Sequence, residues 1–314
     1  MEAVPYHPIV KVTADEIRRT REFYNQSDVR VIVESISAVR EWMEKQPHLI
    51  EASKHLTDEV LERFYFLARC SVEGTKNRIE KLFTSRGLMP ELVLNRNMKE
   101  FDKLFDCVNY IPLPKINNKD LSRVMITQFI TDKLEEFSIM SYFRLCFMIG
   151  EYRLFYDYTL SEQYIIDLKN IHFGLLTKLS PVAIKKAEVL CTEGFGTKIS
   201  GIHILNAPSF IDRLVSILKA SLKEKVASRI HVHSTYEALH KYVPKEILPK
   251  DYGGDEQSCA KLAEQWREIL HTDEAAKVLA DTEKMITDES KRDSSSFNLE
   301  YMGMPGSFRK LNVD

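Results

Sequence analysis

The chain reads as an α/β protein, with an all-helical N-terminal domain followed by a domain built on a mainly parallel sheet with flanking helices. Three observations predict this. The first hundred residues repeat apolar positions at helical spacing and contain no strand-like run. From Leu121 onward, short apolar runs alternate with helical patterns, as in a layered α/β fold. Each run is short and largely apolar, which suits a parallel strand covered on both faces.

The elements follow in order. Thr13 or Asp15 can cap a helix over 16–25. Residues 29–45 carry Val29, Ile32, Val33, Ile36, Val39, Trp42 and Met43 at helical period, and Pro47 stops them. Thr57 caps a helix bearing Leu61, Phe64, Tyr65 and Leu67. Ser71 opens another through Val72, Ile79, Leu82 and Phe83, closed by Gly87. Strands are expected at 124–130, 164–168, 199–205 and 229–233, with helices at 138–156, 181–192 and 209–225 between them. Two further helices are expected at 259–270 and 274–285. Residues 287–296 are polar and expected to be flexible, and 302–311 are turn-rich with a few apolar anchors. The expected units are therefore 1–100 (helical), 101–258 (α/β) and 259–314 (C-terminal helices and tail), with no internal repeat.

Bulk properties narrow the function classes. The 314 residues are 44% hydrophobic and 29% charged, an ordinary globular composition with room for a large core. The net charge of −2 argues against a general nucleic-acid binder. Cys70, Cys107, Cys146, Cys191 and Cys259 are odd in number and far apart, which suits reduced thiols in a cytoplasmic protein and not a disulfide framework or zinc site. The N-terminus lacks a signal-peptide pattern. The longest apolar stretch, 139–149, is broken by Arg144 and too short to span a bilayer.

Catalytic and cofactor patterns fail on context. Glu193-Gly194-Phe195-Gly196-Thr197-Lys198 has two glycines and a lysine, but it precedes a strand, whereas a phosphate loop follows one and opens a helix. It reads as a turn with Gly194 or Gly196 at positive φ. His231 and His233 share one face of a strand. With no third ligand at a supporting spacing, they read as hydrogen-bonded histidines near a sheet edge, and no metal is expected. No Gly-x-Ser-x-Gly turn exists, and Cys191 falls in an apolar helical run as a buried thiol. Asp167, at a strand end, stands where parallel sheets place their sites, but a lone Asp there is usually a structural acceptor. Neither enzyme activity nor a cofactor is expected.

The helix over 209–225 stands out. Phe210, Ile211, Leu214, Val215, Ile217, Leu218 and Leu222 cover a wider arc than a surface helix needs. It is either a buried core helix, or one that offers its second flank to a ligand, partner or membrane. Between Lys198 and Arg229, six basic residues stand against two acidic ones on a chain of net charge −2. That bias suits an anionic membrane surface, or equally a solvated basic rim.

Gly201-Ile202-His203-Ile204-Leu205-Asn206-Ala207-Pro208 and Leu248-Pro249-Lys250-Asp251-Tyr252-Gly253-Gly254 resemble the CRAL-TRIO lipid-transfer family, in its alpha-tocopherol transfer protein and cellular retinaldehyde-binding protein branch. Gln46-Pro47-His48-Leu49, the run from Val72 to Leu82, and Ile165-Ile166-Asp167-Leu168 resemble it too, and the ending from Gly306 to Asp314 looks like the insect expansion. The resemblance implies an intracellular carrier holding one retinoid, carotenoid, tocopherol or related lipid in an apolar cavity. A mobile gate helix would cover that cavity, and the cargo would exchange at membranes with no bond made or broken. Matching positions make 209–222 the gate, with Phe210, Leu214, Ile217 and Leu218 facing inward. The opposite wall is Phe143, Cys146, Ile149 and Gly150, completed by Ile166, Leu190, Phe195, Ile199 and Ile202. Lys198, Lys225 and Arg229 match basic rim positions used for phosphoinositide headgroups. Three departures are visible. The family's basic helix-start pattern meets Phe66 and Ala68, the second rim cation is Ser200, and the strand-start glycine is Ser161. The alternative function is a membrane-sensing or protein-interaction module with the same fold and no dedicated cargo.

Overall fold

The computed structural model describes residues 4–292, so the turn-rich 302–311 and the matching ending 306–314 lie outside the described residues. The N-terminal helices begin where capping side chains allow. In α1 (Ala14–Phe23) the Thr13 hydroxyl accepts from the Glu16 amide while the Glu16 carboxylate accepts from the Thr13 amide, a reciprocal capping box. Asp28 caps α2 (Val29–Glu44), which buries Ile32, Ile36, Val39 and Met43. Thr57 caps α3 (Asp58–Leu67) and Ser71 caps α4 (Val72–Leu88). Gly87 does not end α4 as expected; the helix passes through it and stops before Pro90, whose ring disfavours helical geometry at Met89.

Five strands follow: β1 (Val108–Asn117), β2 (Ser122–Phe129), β3 (Ser161–Asp167), β4 (Ile199–Leu205) and β5 (Ile230–Val232). They lie in the order β1-β2-β3-β4-β5, with β1 antiparallel to β2 and every other pair parallel. The sequence reading missed β1. Its Pro112 and Pro114 look like breakers, but on an edge strand a missing N–H leaves no ladder bond unmade. The register shifts between Pro112 and Ile116, and the proline carbonyls find other donors, Trp266 Nε1 on Pro112 and the Lys11 amide on Pro114.

Three helices cross between the parallel strands: α5 (Ile139–Arg153), α6 (Pro181–Val189) and α7 (Ile211–Ser221). Right-handed crossovers between strands in sequential order place all three on one face of the sheet. The chain then continues into α8 (Cys259–Leu270) and α9 (Asp273–Glu283), with α8 packed on β1. The expected helix over 209–225 is shorter than its apolar pattern. It ends at Ser221, Leu222 is extended, and a separate turn covers Glu224–Ala227.

The N-terminal helices are welded to the sheet domain. One hydrophobic cluster joins Ile36, Phe64 and Phe83 to Phe147, Leu190 and Phe195. Glu151 on α5 is buried between Arg86 of α4 and Arg96, and Arg86 also donates to the Thr282 and Met285 carbonyls. Within the segment expected to be loose, residues 287–292 are instead tied down. The Asp288 amide donates to the His48 carbonyl at 3.0 Å, and Arg292 pairs with Glu80 at 2.9 Å.

Candidate ligand-binding cavity

β3 alternates sharply. Ser161, Gln163, Ile165 and Asp167 are buried, while Glu162, Tyr164 and Ile166 are only half-buried. A strand's period of two puts the second set on one face, and that face looks into a cavity of about 300 Å³ beneath α5–α7. This is the lower end of the ~300–1,000 Å³ typical of small-molecule sites. From α5 come Phe143, Cys146, Phe147 and Gly150, at i, i+3, i+4 and i+7 on one helical face. A Cβ added at Gly150 meets nothing within 4 Å, so the glycine itself leaves room. Leu214 and Leu218 of α7 form the cover, extended by Leu222 and Val226, while Asp212, Arg213 and Lys219 face solvent.

Of the thirteen residues expected to touch a ligand, nine line this cavity: Phe143, Cys146, Gly150, Ile166, Phe195, Ile199, Ile202, Leu214 and Leu218. The other four lie elsewhere. Ile149 points into the core of the sheet domain and Leu190 into the helical core, both buried. Phe210 precedes the helix and packs edge-on against Phe173 at 5.6 Å. Ile217 is half-buried beside the lining and not in it. Of the expected basic rim, Lys198 borders the cavity and is exposed, and Lys225 is exposed on the short turn. The Arg229 guanidinium is committed to the Ile199 carbonyl.

The cavity also has a polar end that the sequence reading overlooked. Arg153 bonds both Asp157 at 2.6 Å and Glu162 at 2.9 Å, and Arg123 holds the other Asp157 oxygen at 2.6 Å. Burial alone raises the pKa of Asp157, but these two guanidiniums outweigh it and hold the carboxyl well below its usual range. The Tyr164 hydroxyl donates to Glu162 at 2.5 Å, and Tyr142 and Thr127 share a hydrogen bond of 2.5 Å. Burial drives both tyrosines' pKa values well up, and pushes the Cys191 thiol up to about 12. A thiol so shifted is no nucleophile at neutral pH. The alternation along β3 could have revealed Glu162 and Tyr164 once Ile166 was placed. Arg63, on α3 at the same end, had no such signal.

The remaining candidates are structural. Asp167 accepts from the Lys169 amide, Asn206 Nδ2 and the Tyr252 hydroxyl at 2.7–3.0 Å, which pins the loops at the strand ends. His203 bridges His233 at 2.9 Å and Gln163 at 3.0 Å, with His231 stacked alongside at 5.5 Å. Among the described residues no three His, Cys, Asp or Glu side chains are arranged to hold a metal ion, and no helix is long and apolar enough to cross a membrane. Gly196, not Gly194, takes positive φ (63°), which lets Arg78 reach the Phe195 carbonyl at 2.8 Å.

Residues 108–254 match the family model of the CRAL/TRIO domain, and residues 28–102 that of the Pinta-like UBA domain. The chain is similar to the alpha-tocopherol transfer protein-like protein of Mus musculus, 35% identical over 91 residues, which is 29% of this chain and 26% of that protein. Clavesin-2 of Homo sapiens is 35% identical over 91 residues, 29% of this chain and 28% of that protein. The matches thus span little more than a quarter of these relatives. Among solved structures, that of Sfh5 aligns with a TM-score of 0.45 and 10% identity, over 87% of this chain and 99% of that one.

Proposed function

From the premise that this is a CRAL/TRIO-domain protein, we propose that it carries one hydrophobic small molecule in the cavity beneath α7 and exchanges it at membranes. The observation that supports this reading is the division of labour on α7. Leu214 and Leu218 close an apolar chamber, while Asp212, Arg213 and Lys219 on the other side meet water. One short helix separates ligand from solvent, so its displacement is the natural route in and out. Selection then rests on shape and on apolar area removed from water. A retinoid, carotenoid, tocopherol or related lipid fits such a chamber. The cargo is carried unchanged, because the cavity's thiols are held protonated and its carboxylates are paired.

In this reading residues 101–258 hold the ligand, side chains of the 1–100 unit such as Arg63 and Phe66 close the polar end of the cavity, and within 259–314 the helix α8 braces the sheet domain. Lys198 at the cavity and Lys225 on the turn after α7 are exposed, and an anionic membrane would attract both; in this reading the protein works in the cytoplasm with peripheral membrane contact. With Ser200 at the rim and Arg229 bound to backbone, this contact is general attraction and not headgroup recognition.

The test is gentle purification from a lipid-rich host, an absorption spectrum, then extraction and mass spectrometry. One stoichiometric isoprenoid, polyene or other lipophile supports the carrier. A scatter of host phospholipids, or no lipid with any ligand offered, overturns it in favour of membrane sensing or protein interaction without cargo.

A further inference from the structure

The groups at the polar end of the cavity are unequally satisfied. Glu162 has both oxygens engaged, one by Arg153 at 2.9 Å and one by Tyr164 at 2.5 Å. Asp157 is held from two sides by Arg123 and Arg153. Glu62 nearby is already bound by Arg21 at 2.6 Å and by the Tyr158 hydroxyl at 2.7 Å.

Arg63 differs. It borders the cavity and is only 4% exposed. Its Nε donates to the Asp157 carbonyl at 3.0 Å, and its guanidinium lies 4.5 Å over the Tyr158 ring. Its Nη1 is buried with no hydrogen-bond partner. A buried donor left unmade is costly, and more so when it carries charge. Of the guanidiniums buried at this end, Arg123 and Arg153 are met by Asp157 and Glu162, and Arg21 by Glu62, which leaves Arg63 without a carboxylate of its own. The missing partner is therefore an acceptor, and one bearing a single negative charge restores neutrality. The opposite end is apolar, formed by Phe129, Phe137, Leu175 and Leu179. Glu162 and Leu168 both line the cavity, and six strand steps separate them, a span of ~20 Å.

We propose that the cargo is a lipophilic monocarboxylate whose head accepts a hydrogen bond from Arg63 and whose apolar tail runs along β3 toward Phe129 and Phe137. This rests on the carrier reading and adds a polar selection rule to it. Neutral lipids of the same tail fill the chamber but leave the extra charge unanswered. A carboxylate gains a charge-assisted bond in a site already shielded from water.

The experiment compares two probes with one tail. The delipidated full-length protein is titrated with sodium oleate and with oleyl alcohol by calorimetry at neutral pH. Oleate is expected to bind about tenfold tighter or more, given the strength of charge-assisted bonds. Arg63→Met is expected to abolish that preference while retaining binding of the alcohol, and Arg63→Lys to keep the order of the two. Circular dichroism checks each variant's fold; if Arg63→Met does not fold, the wild-type comparison and Arg63→Lys decide. Equal or tighter binding of the alcohol overturns the carboxylate proposal and leaves the carrier standing. Full preference in a folded Arg63→Met overturns the placement of the head at Arg63. Binding of neither probe overturns both the proposal and the carrier reading for such tails.

Discussion

Asp157 carries one negative charge between Arg123 and Arg153, and all three groups are buried. Asp157→Asn keeps the shape but strands two guanidiniums, so a stability loss of about 3–5 kcal/mol is expected in urea unfolding; a loss below ~1 kcal/mol contradicts the account. Because its folded pKa is depressed, the carboxylate's contribution is complete above the unfolded value of ~4 and is lost as pH falls toward the folded one. Buried histidines act in a higher window. Burial lowers His7 to about 4, and burial together with His233 and His231 lowers His203 to about 3. The unfolded chain takes up these protons near pH ~6.5 while the folded one resists, so stability is full above that pH and falls through the window down to the folded values. The urea midpoint is therefore expected to drop between pH 7.5 and pH 5, and His203→Gln to flatten that slope. At this scale the sequence was partly legible. Asp167 reads correctly as a loop-pinning acceptor from its place at a strand end, but nothing in the residues around Arg63 marks it as bordering a cavity.

Among the elements, α5 and the turn before β4 make the sharpest tests. A Cβ added at Gly150 enters open space on the cavity side. Gly150→Leu is therefore expected to leave the fold intact and strengthen the helix by up to ~1 kcal/mol, while cutting lipid capacity in a binding titration. Lost stability with unchanged binding contradicts the position of the cavity. At Gly196 the φ of 63° already disfavours a side chain, and a Cβ would lie 1.4 Å from Arg78 Nη1. Gly196→Ala is expected to cost more than ~1 kcal/mol in thermal unfolding, since neither backbone nor neighbour accommodates it. Element boundaries were legible where a side chain signals them, as at Thr13, Asp28, Thr57 and Ser71. β4 and α8 run over the expected residues, 199–205 and 259–270. β1 was not legible, because its prolines are tolerated only by virtue of an edge position that no local pattern announces. The apolar stripe of α7 overran the helix, because Leu222 and Val226 serve the cavity from outside it.

At the scale of the molecule, a ligand enclosed by helices from 1–100 and by the sheet domain must stabilise the whole. Delipidated protein with a bound lipophile at a hundred times its Kd is expected to gain about 2.7 kcal/mol, read as a rise in Tm. Leu214→Asp in the cover is expected to remove that rise. The order of helical region and α/β domain, the parallel strands and an apolar chamber were all legible in the chain. The order of units and the strands follow from periodicity and turn chemistry, which are properties of neighbouring residues, whereas the chamber was expected from the family resemblance. Packing alone puts Ile149, Leu190, Phe210 and Ile217 off the cavity and ends it in charge. Helix rotation and strand register set the first. The second arises because Arg63, Arg153 and Glu162, on three separate elements, border one cavity only once helices and sheet are assembled, and no spacing along the chain encodes such a meeting.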